Sequence, residues 1–471
     1  MITIDSVVRA EISKEVGESQ SAPLGPQPDS PVNPVGIDSW SLYNLAYNSL
    51  EGSFLIYSFA DLRKYARGAL FDDASCETIM AVPIRFESAI ELLWKHRDVL
   101  QKKWGESDTQ QFVDSMDSLE KRMEVAAWAT GHRGYLAEEL GEKAGGIKYF
   151  YDENEQEPTY VIVANVLAKT LSVIFRGTKT LNDVQVDAKM AMKSINNPLA
   201  AIEGQSENFR LHRGFSGFLY KKVNELKGKN RKWDGTSNRE GTKCQEILSD
   251  ALVILQQFPD YRLCVTGHSM GGALATLFAF ELSALRFRDT DLIRHPITCV
   301  AVASPRLGDN HFRKAFQYLE MEGHLQCLRV ENDFDIVPMI PWTSLSCLGV
   351  PLSPFFPYVR YRHVGVQLKI HATKKTFEVS YSRYRSGAFL FVLDLWSTIK
   401  RLCWLILCCL FVSVRESVNH HCGEYRRRLM DNAETLGQLT LASVYERIQK
   451  GEAGLLETSG KLRLKAVEPR I

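Results

Sequence analysis

Two glycines flank the serine whose surroundings best suit covalent chemistry. Gly267-His-Ser269-Met-Gly271 follows a stretch that predicts a strand at 261–266 and precedes one that predicts a helix at 270–287. A serine at such a sharp strand-to-helix turn is held in a strained conformation, in front of the free N–H groups that begin the helix. Bulk at either glycine would clash in so tight a turn. The pattern therefore predicts Ser269 as a nucleophile.

A nucleophilic serine needs a base and an acid that orients the base. Asp333 and Asp335 both follow a predicted strand at 325–331, and the carboxyl end of a sheet strand suits the orienting role. An aspartate that only shapes the turn would stand in the same place. Position along the chain leaves both residues as candidates.

Three downstream histidines compete for the role of base. His363 lies inside a predicted strand at 358–370, which is typical of a structural histidine, whereas His420 and His421 open a predicted helix. A metal site at His420 and His421 would lack a second pair of ligands, so no metal is expected.

Strands and helices alternate through the part of the chain that carries these residues. The predicted strands are 147–152, 158–166, 169–175, 207–212, 261–266, 297–303, 325–331 and 358–370, and the predicted helices are 215–227, 243–257, 270–287 and 309–321. Such alternation predicts an α/β fold with a mostly parallel central sheet and helices on both faces.

The remaining segments divide by composition. Residues 17–36 are rich in Gly, Ser, Pro and Gln, and we expect residues 1–38 to form a disordered arm. Helical periodicity over 39–146 predicts a helical leader or cap that packs on the α/β domain, for which we expect the bounds 147–450. Residues 451–471 are expected to form a C-terminal tail.

Charge and cysteine usage limit the possible partners and location. The 471 residues include 57 Lys and Arg and 56 Asp and Glu, for a formal net charge of +1, which argues against nucleic acid as a partner. Ten cysteines are scattered without a C-x-x-C pair, which predicts reduced thiols in an intracellular protein. The first residues also lack the apolar core of a secretory signal.

An apolar insertion at 388–414 separates the predicted strand that contains His363 from His420. Its longest uncharged run, 402–414, would span about 20 Å as a helix, which is short of the roughly 30 Å hydrocarbon core. We expect a hairpin that is either buried or inserted at a membrane interface, and a lid is compatible with both. Residues 358–430 hold thirteen Lys and Arg against four Asp and Glu, which favours the interface of a membrane or lipid droplet.

Several sequence blocks together resemble the class 3 (fungal-type) triacylglycerol lipases of the α/β-hydrolase superfamily. The resemblance covers roughly 147–431. Besides the serine turn, the blocks are Val173-Ile-Phe-Arg-Gly-Thr178, His212-Arg-Gly-Phe215, Ala303-Ser-Pro-Arg-Leu-Gly308, Asp335-Ile-Val-Pro338 and Tyr361-Arg-His-Val-Gly365.

The resemblance implies specific roles for site residues. It implies that Asp335, directly before Ile-Val-Pro, is the acid of a catalytic triad and that His420 is the base, with His421 as second choice. The backbone N–H of Met270 and the N–H or hydroxyl of Thr178 would form the oxyanion hole. Water completes such a reaction, so no cofactor is expected.

The implied function is hydrolysis of acyl esters of lipids, with triacylglycerol or another acylglycerol as substrate. Phospholipase A, galactolipase and acyltransferase activities on the same triad are alternatives within enzymes. A non-catalytic, lipase-like scaffold that binds lipid is the alternative from another class. The expected location is intracellular, with peripheral or monotopic association at the cytosolic face of a membrane or at a lipid droplet.

Overall fold

A ten-stranded sheet organises the described part of the chain. The computed structural model describes residues 37–69, 146–152, 157–165, 168–177, 191–222, 241–285, 292–341, 361–372, 376–381, 420–450, 454–458 and 462–466. The strands are β1 (Gly146–Tyr151), β2 (Tyr160–Asn165), β3 (Thr170–Phe175), β4 (Met192–Asn196), β5 (Asn208–His212), β6 (Arg262–His268), β7 (Ile297–Val302), β8 (Leu325–Asn332), β9 (Val366–Ile370), β10 (Phe377–Tyr381), β11 (Gly454–Thr458) and β12 (Leu462–Ala466).

The sheet is parallel at its centre and antiparallel at its edges. Its strand order is β1-β2-β3-β6-β7-β8-β9-β10-β11-β12, and every neighbouring pair from β3 to β9 is parallel. Strands β4 and β5 form a separate antiparallel pair. Because helices cover both faces, the central strands are continuous apolar runs, and all six residues of β7 are buried. The expected α/β class with a mostly parallel sheet is confirmed.

Two sets of helices cover the two faces. The helices are α1 (Leu42–Ala69), α2 (Arg213–Tyr220), α3 (Lys243–Leu255), α4 (Met270–Ala284), α5 (Asn310–Met321), α6 (Cys422–Asp431), α7 (Ala433–Leu436) and α8 (Leu441–Gln449). Helices α2 to α5 share one hydrophobic cluster with the sheet, whereas α1 and α6 to α8 share a second cluster. Helix α4 is apolar on all sides because it lies at the centre of the first cluster, where thirteen of its residues are buried.

Helix α1 packs directly against the central sheet. In the first part of the region 39–146, where helical periodicity was expected, the structure forms one helix of 28 residues. A Cβ added at Gly52 would lie 2.9 Å from Cδ1 of Ile174, so the helix lies very close to β3. Residues 70–145 of the expected leader lie outside the described residues, as do the arm up to residue 36 and the insertion 388–414.

Two expected elements are wrong in extent, and one expected tail forms strands. The strand expected at 358–370 begins only at Val366, because Gly365 takes φ +80°, where a Cβ would collide with Cys327. The helix expected at 215–227 is α2, which ends at Tyr220. Part of the expected tail forms β11 and β12, which extend the sheet beyond β10. Both runs are only five residues long, and β12 alternates leucine with charged residues, which is a weak strand signal.

One buried carboxylate links three elements on the β8 side of the sheet. Glu320 of α5 is 1% exposed, and it accepts hydrogen bonds from the hydroxyl of Tyr381 in β10, at 2.8 Å, and from the hydroxyl of Tyr445 in α8. Burial raises the pKa of Glu320 to about 7. The carboxyl therefore keeps its proton in the folded protein at a pH at which the unfolded chain has released it.

We expect the free energy of unfolding to fall as the pH rises from about 4.5 to 7, because the folded state holds one proton more than the unfolded state across that window. Each unit of difference between the folded and unfolded pKa corresponds to ~1.4 kcal/mol. The shift of Glu320 therefore accounts for at most about 3 kcal/mol of this fall. Glu320→Gln should flatten the slope, measured by urea unfolding at several pH values. Glu322→Gln, which alters an exposed carboxylate in the following turn, is the control, and equal slopes for all three proteins would contradict the prediction.

Candidate active site

Ser269 occupies a strained turn between β6 and α4. Its backbone has φ 57° and ψ −128°, in the left-handed region that a residue with a Cβ rarely adopts. Its N–H donates to the carbonyl of Val302 at 2.9 Å, and its carbonyl accepts from the N–H of Gly272 at 2.9 Å. The strain is therefore held in place by the end of β7 on one side and by the first turn of α4 on the other.

The turn requires glycine on both sides of the serine. A Cβ at Gly267 would collide with the carbonyl of Gly271, and a Cβ at Gly271 would collide with the carbonyl of Phe175 at the end of β3. Gly177, two residues after β3, also lies beside the turn, since a Cβ there would lie 2.6 Å from the carbonyl oxygen of His268 and 3.2 Å from the Cβ of Ser269. Backbone from β3 thus passes directly beside the serine, and Thr178, the next residue, lies outside the described residues.

His420 and Asp335 form a hydrogen-bonded line with the serine. The Nε2 atom of His420 lies 3.1 Å from the Oγ atom of Ser269, and its Nδ1 atom lies 3.1 and 3.0 Å from the two carboxylate oxygens of Asp335. Because an ionised carboxylate only accepts, Nδ1 carries the proton and Nε2 is free to accept from the serine hydroxyl. All three side chains are buried, so these hydrogen bonds are stronger than they would be in water.

Asp335 is held by two further donors. The N–H of Val337 donates to one carboxylate oxygen at 2.9 Å, and the hydroxyl of Tyr425 donates to the other at 2.7 Å. Tyr425 itself accepts from the N–H of Asn332 at 2.9 Å, which joins α6 to the end of β8. Burial, followed by the neighbouring Asp335, raises the pKa of the Tyr425 hydroxyl well above its ordinary value, so it stays a donor.

The competing residues lie elsewhere. The Nδ1 atom of His421 accepts from the N–H of Gly423 at 3.1 Å, so this exposed side chain caps α6. His363 donates to the carbonyl of Pro338 at 2.6 Å, and burial lowers its pKa well below the ordinary value.

Asp333, the other candidate for the acid, has a separate set of partners. Its carboxylate binds Arg428 of α6 at 2.8 Å and His371, after β9, at 3.1 Å. It therefore stabilises the packing of α6 against the sheet.

Two residues near the serine were missed in the sequence. The Nε2 atom of His268 lies 3.1 Å from the backbone carbonyl of His420, and its Nδ1 atom lies 3.4 Å from the hydroxyl of Tyr57 in α1. His268 could have been singled out because it lies inside the G-x-S-x-G pattern. Tyr57 is 211 residues away from His268 in sequence and belongs to no recognisable motif.

The arrangement has the parts that acyl chemistry requires. A buried base can withdraw the proton of Ser269, and Met270 is the first residue of a 15-residue helix whose free N–H groups favour negative charge at this end. Within the described ranges, no three His, Cys, Asp or Glu side chains are grouped so that they could hold a metal ion.

Part of this chain is similar to known proteins. The sequence model of the family described as lipase (class 3) matches residues 172–345. Among curated relatives, phospholipase A1-II 2 of Oryza sativa subsp. indica is 29% identical over 191 residues, which are 39% of this chain and 44% of the relative. Phospholipase A1-II 4 of Oryza sativa subsp. japonica is 31% identical over 196 residues, 40% of this chain and 44% of the relative.

These matches span less than half the length of the curated relatives. Among solved structures, the triacylglyceride lipase of Rhizomucor miehei is similar over 52% of this chain and 74% of that chain, with 20% identity and a TM-score of 0.36.

A fluorophosphonate should label Ser269 covalently, because His420 can withdraw the hydroxyl proton as the bond to phosphorus forms. We expect Ser269→Ala to abolish labelling and His420→Ala to slow it by about 10³-fold or more. His421→Ala, which removes only a helix cap, should label at the wild-type rate. The measurement is intact-mass spectrometry over time, and rapid labelling of His420→Ala together with loss in His421→Ala or His363→Ala would contradict the assignment.

Proposed function

We propose that this chain, which belongs to the class 3 lipase family of α/β-hydrolases, hydrolyses carboxylic esters of glycerolipids with Ser269 as nucleophile. The observation that carries the proposal is the continuous line of hydrogen bonds from Asp335 through His420 to Ser269 at a strained strand-to-helix turn. Ser269 and Asp335 lie inside the segment that matches the family, whereas His420 lies 75 residues beyond its end.

In the first half-reaction, the Oγ atom of Ser269 attacks the ester carbonyl while the Nε2 atom of His420 takes its proton. The carbonyl oxygen becomes an oxyanion, for which we propose the N–H of Met270 and the N–H or hydroxyl of Thr178 as donors. His420 then returns the proton to the alcohol as the carbon–oxygen bond breaks. The alcohol leaves, and the acyl group stays on Ser269.

In the second half-reaction, water attacks the acyl-enzyme with His420 again as base, and the fatty acid leaves. Asp335 keeps the imidazole in the required tautomer and stabilises its charged form, but it does not take the proton itself. The hydrogen bonds from Val337 and Tyr425 hold the carboxylate of Asp335 in the orientation that faces His420. Neither half-reaction draws on a cofactor.

Three classes of glycerolipid are candidate substrates. The sequence resemblance implies triacylglycerol or another acylglycerol, and the names of the rice relatives suggest a phospholipid cleaved as by a phospholipase A1. Galactolipids would present the same ester bond. An alcohol in place of water in the second half-reaction would make the same residues an acyltransferase.

The test compares wild type with Ser269→Ala on emulsions of triacylglycerol and diacylglycerol and on vesicles of galactolipid and phosphatidylcholine. We expect wild type to release fatty acid from at least one of them, and Ser269→Ala to be slower by about 10⁴-fold or more. Mass spectrometry of the remaining lipid identifies the class and the position of the bond that is cleaved. Vesicle binding without any release above Ser269→Ala would overturn the proposal and favour a lipid-binding scaffold.

We also propose that the apolar insertion 388–414 contacts the surface of a membrane or lipid droplet on its cytosolic face. The support is the excess of thirteen Lys and Arg over four Asp and Glu at 358–430, since anionic lipid surfaces attract such clusters. The insertion lies outside the described residues. Among helices in the described ranges, none is both long and apolar enough to cross a membrane.

Deletion of 388–414 should release the protein from liposomes that contain anionic lipid, because the apolar contact is lost. Flotation on a density gradient measures this. Hydrolysis of a soluble short-chain nitrophenyl ester by the deleted protein serves as the control for folding. Unchanged flotation of an active deletion variant would disprove the proposed contact.

A further inference from the structure

The ring of His268 lies between α1 and the backbone of the proposed base. On one side, its Nδ1 atom is 3.4 Å from the hydroxyl of Tyr57. On the other side, its Nε2 atom is 3.1 Å from the carbonyl of His420, and the two imidazole rings are 4.8 Å apart. His268 therefore connects helix α1 to the backbone of His420.

The direction of each hydrogen bond in this connection follows from chemistry. The carbonyl of His420 can only accept, so the Nε2 atom of His268 must carry the hydrogen. In a neutral imidazole, Nδ1 is then an acceptor, and the hydroxyl of Tyr57 donates to it. The oxygen of Tyr57 in turn receives a backbone hydrogen bond from Gly177, the residue before Thr178. Four groups thus form one directed series.

A neutral His268 suits a position beside a base that becomes charged. Burial, followed by repulsion from His420, lowers the pKa of His268 well below its ordinary value, so its ring stays uncharged. An uncharged ring can donate to the carbonyl of His420 in every step without repelling the imidazolium that forms on the same residue.

The two ends of the series are the places where catalytic geometry is set. At one end lies the backbone of His420, whose ring must keep Nε2 within reach of Ser269. At the other end lies Gly177, which is packed against the Cβ of Ser269 and directly precedes the proposed oxyanion donor. A small displacement at either end would misalign the reacting groups, and misplacement by about 1 Å can cost on the order of 10² in rate.

We propose that Tyr57 and His268 are positioning residues, through which helix α1 aligns the backbone of His420 with Gly177 on the other side of Ser269. This inference rests on the proposed function. Helix α1 lies outside the segment that matches the family. The proposal therefore gives a positioning role in catalysis to a region that the match does not include.

The first test is Tyr57→Phe, which removes one hydroxyl and leaves the ring. We expect kcat on a soluble short-chain nitrophenyl ester to fall about tenfold with little change in KM. The reason is that the variant misaligns His420 with Ser269 but does not alter substrate binding. Tyr47→Phe is the matched control, since it removes a hydroxyl of the same helix that accepts from Arg426 of α6 at 3.1 Å instead of donating to His268. Its kcat should stay at the wild-type value.

The second test compares two changes at His268. His268→Gln keeps an N–H that can reach the carbonyl of His420, whereas His268→Leu keeps only apolar bulk. We expect His268→Gln to retain several times more activity than His268→Leu. The two variants need not unfold at the same temperature. The rate of fluorophosphonate labelling of Ser269 is the parallel readout, and it separates this inference from the identity of the lipid substrate.

Wild-type kcat and labelling rate in Tyr57→Phe would overturn the inference. Equal losses in Tyr57→Phe and Tyr47→Phe would also overturn it, because they would reduce α1 to a structural element. The same holds if His268→Gln is no better than His268→Leu. Failure of the proposed lipid hydrolysis would be seen separately, as a wild-type protein that is labelled by the fluorophosphonate but releases no fatty acid from any lipid.

Discussion

The structure depends on a turn in which three backbones approach too closely for side chains. The end of β3, the end of β6 and the first turn of α4 meet around Ser269, and no Cβ fits at Gly267 or Gly271. Neither neighbour can yield, because β3 and β6 are paired along six residues and α4 is buried between the sheet and three other helices. The packing of these rigid elements therefore offsets the energetic cost of the strained backbone at Ser269.

A second constraint is the burial of charge next to that turn. Asp335 lies in the interior, where an unpaired carboxylate would be costly, and the donors from His420, Val337 and Tyr425 offset this cost. The same donors fix its orientation, so stability and alignment have one cause. Tyr425 also joins the end of β8 to α6, the helix that follows His420 directly.

The sequence predicted what depends on local pattern and missed what depends on tertiary contacts. The turn around Ser269 is contiguous in sequence and has a strict glycine requirement, so both its place and its elements were predictable. Asp333 and Asp335 differ by only two positions, and what distinguishes them is that Arg428 and His371 bind the first. No local pattern contains that information, and only the family resemblance selected Asp335.

The same distinction explains why the sequence predicted a helical leader or cap over 39–146 but no role for it at the site. Its apolar periodicity predicted a helix, but periodicity cannot say which hydroxyl meets a histidine more than 200 residues away. In the structure, α1 covers the sheet face opposite α4 and shares a hydrophobic cluster with α6. Under the proposed role of Tyr57 and His268, a shift of α1 would be passed through these two side chains to the backbone of His420. Ser269, in contrast, is held by the sheet and α4, so such a shift would alter the distance between nucleophile and base rather than move them together.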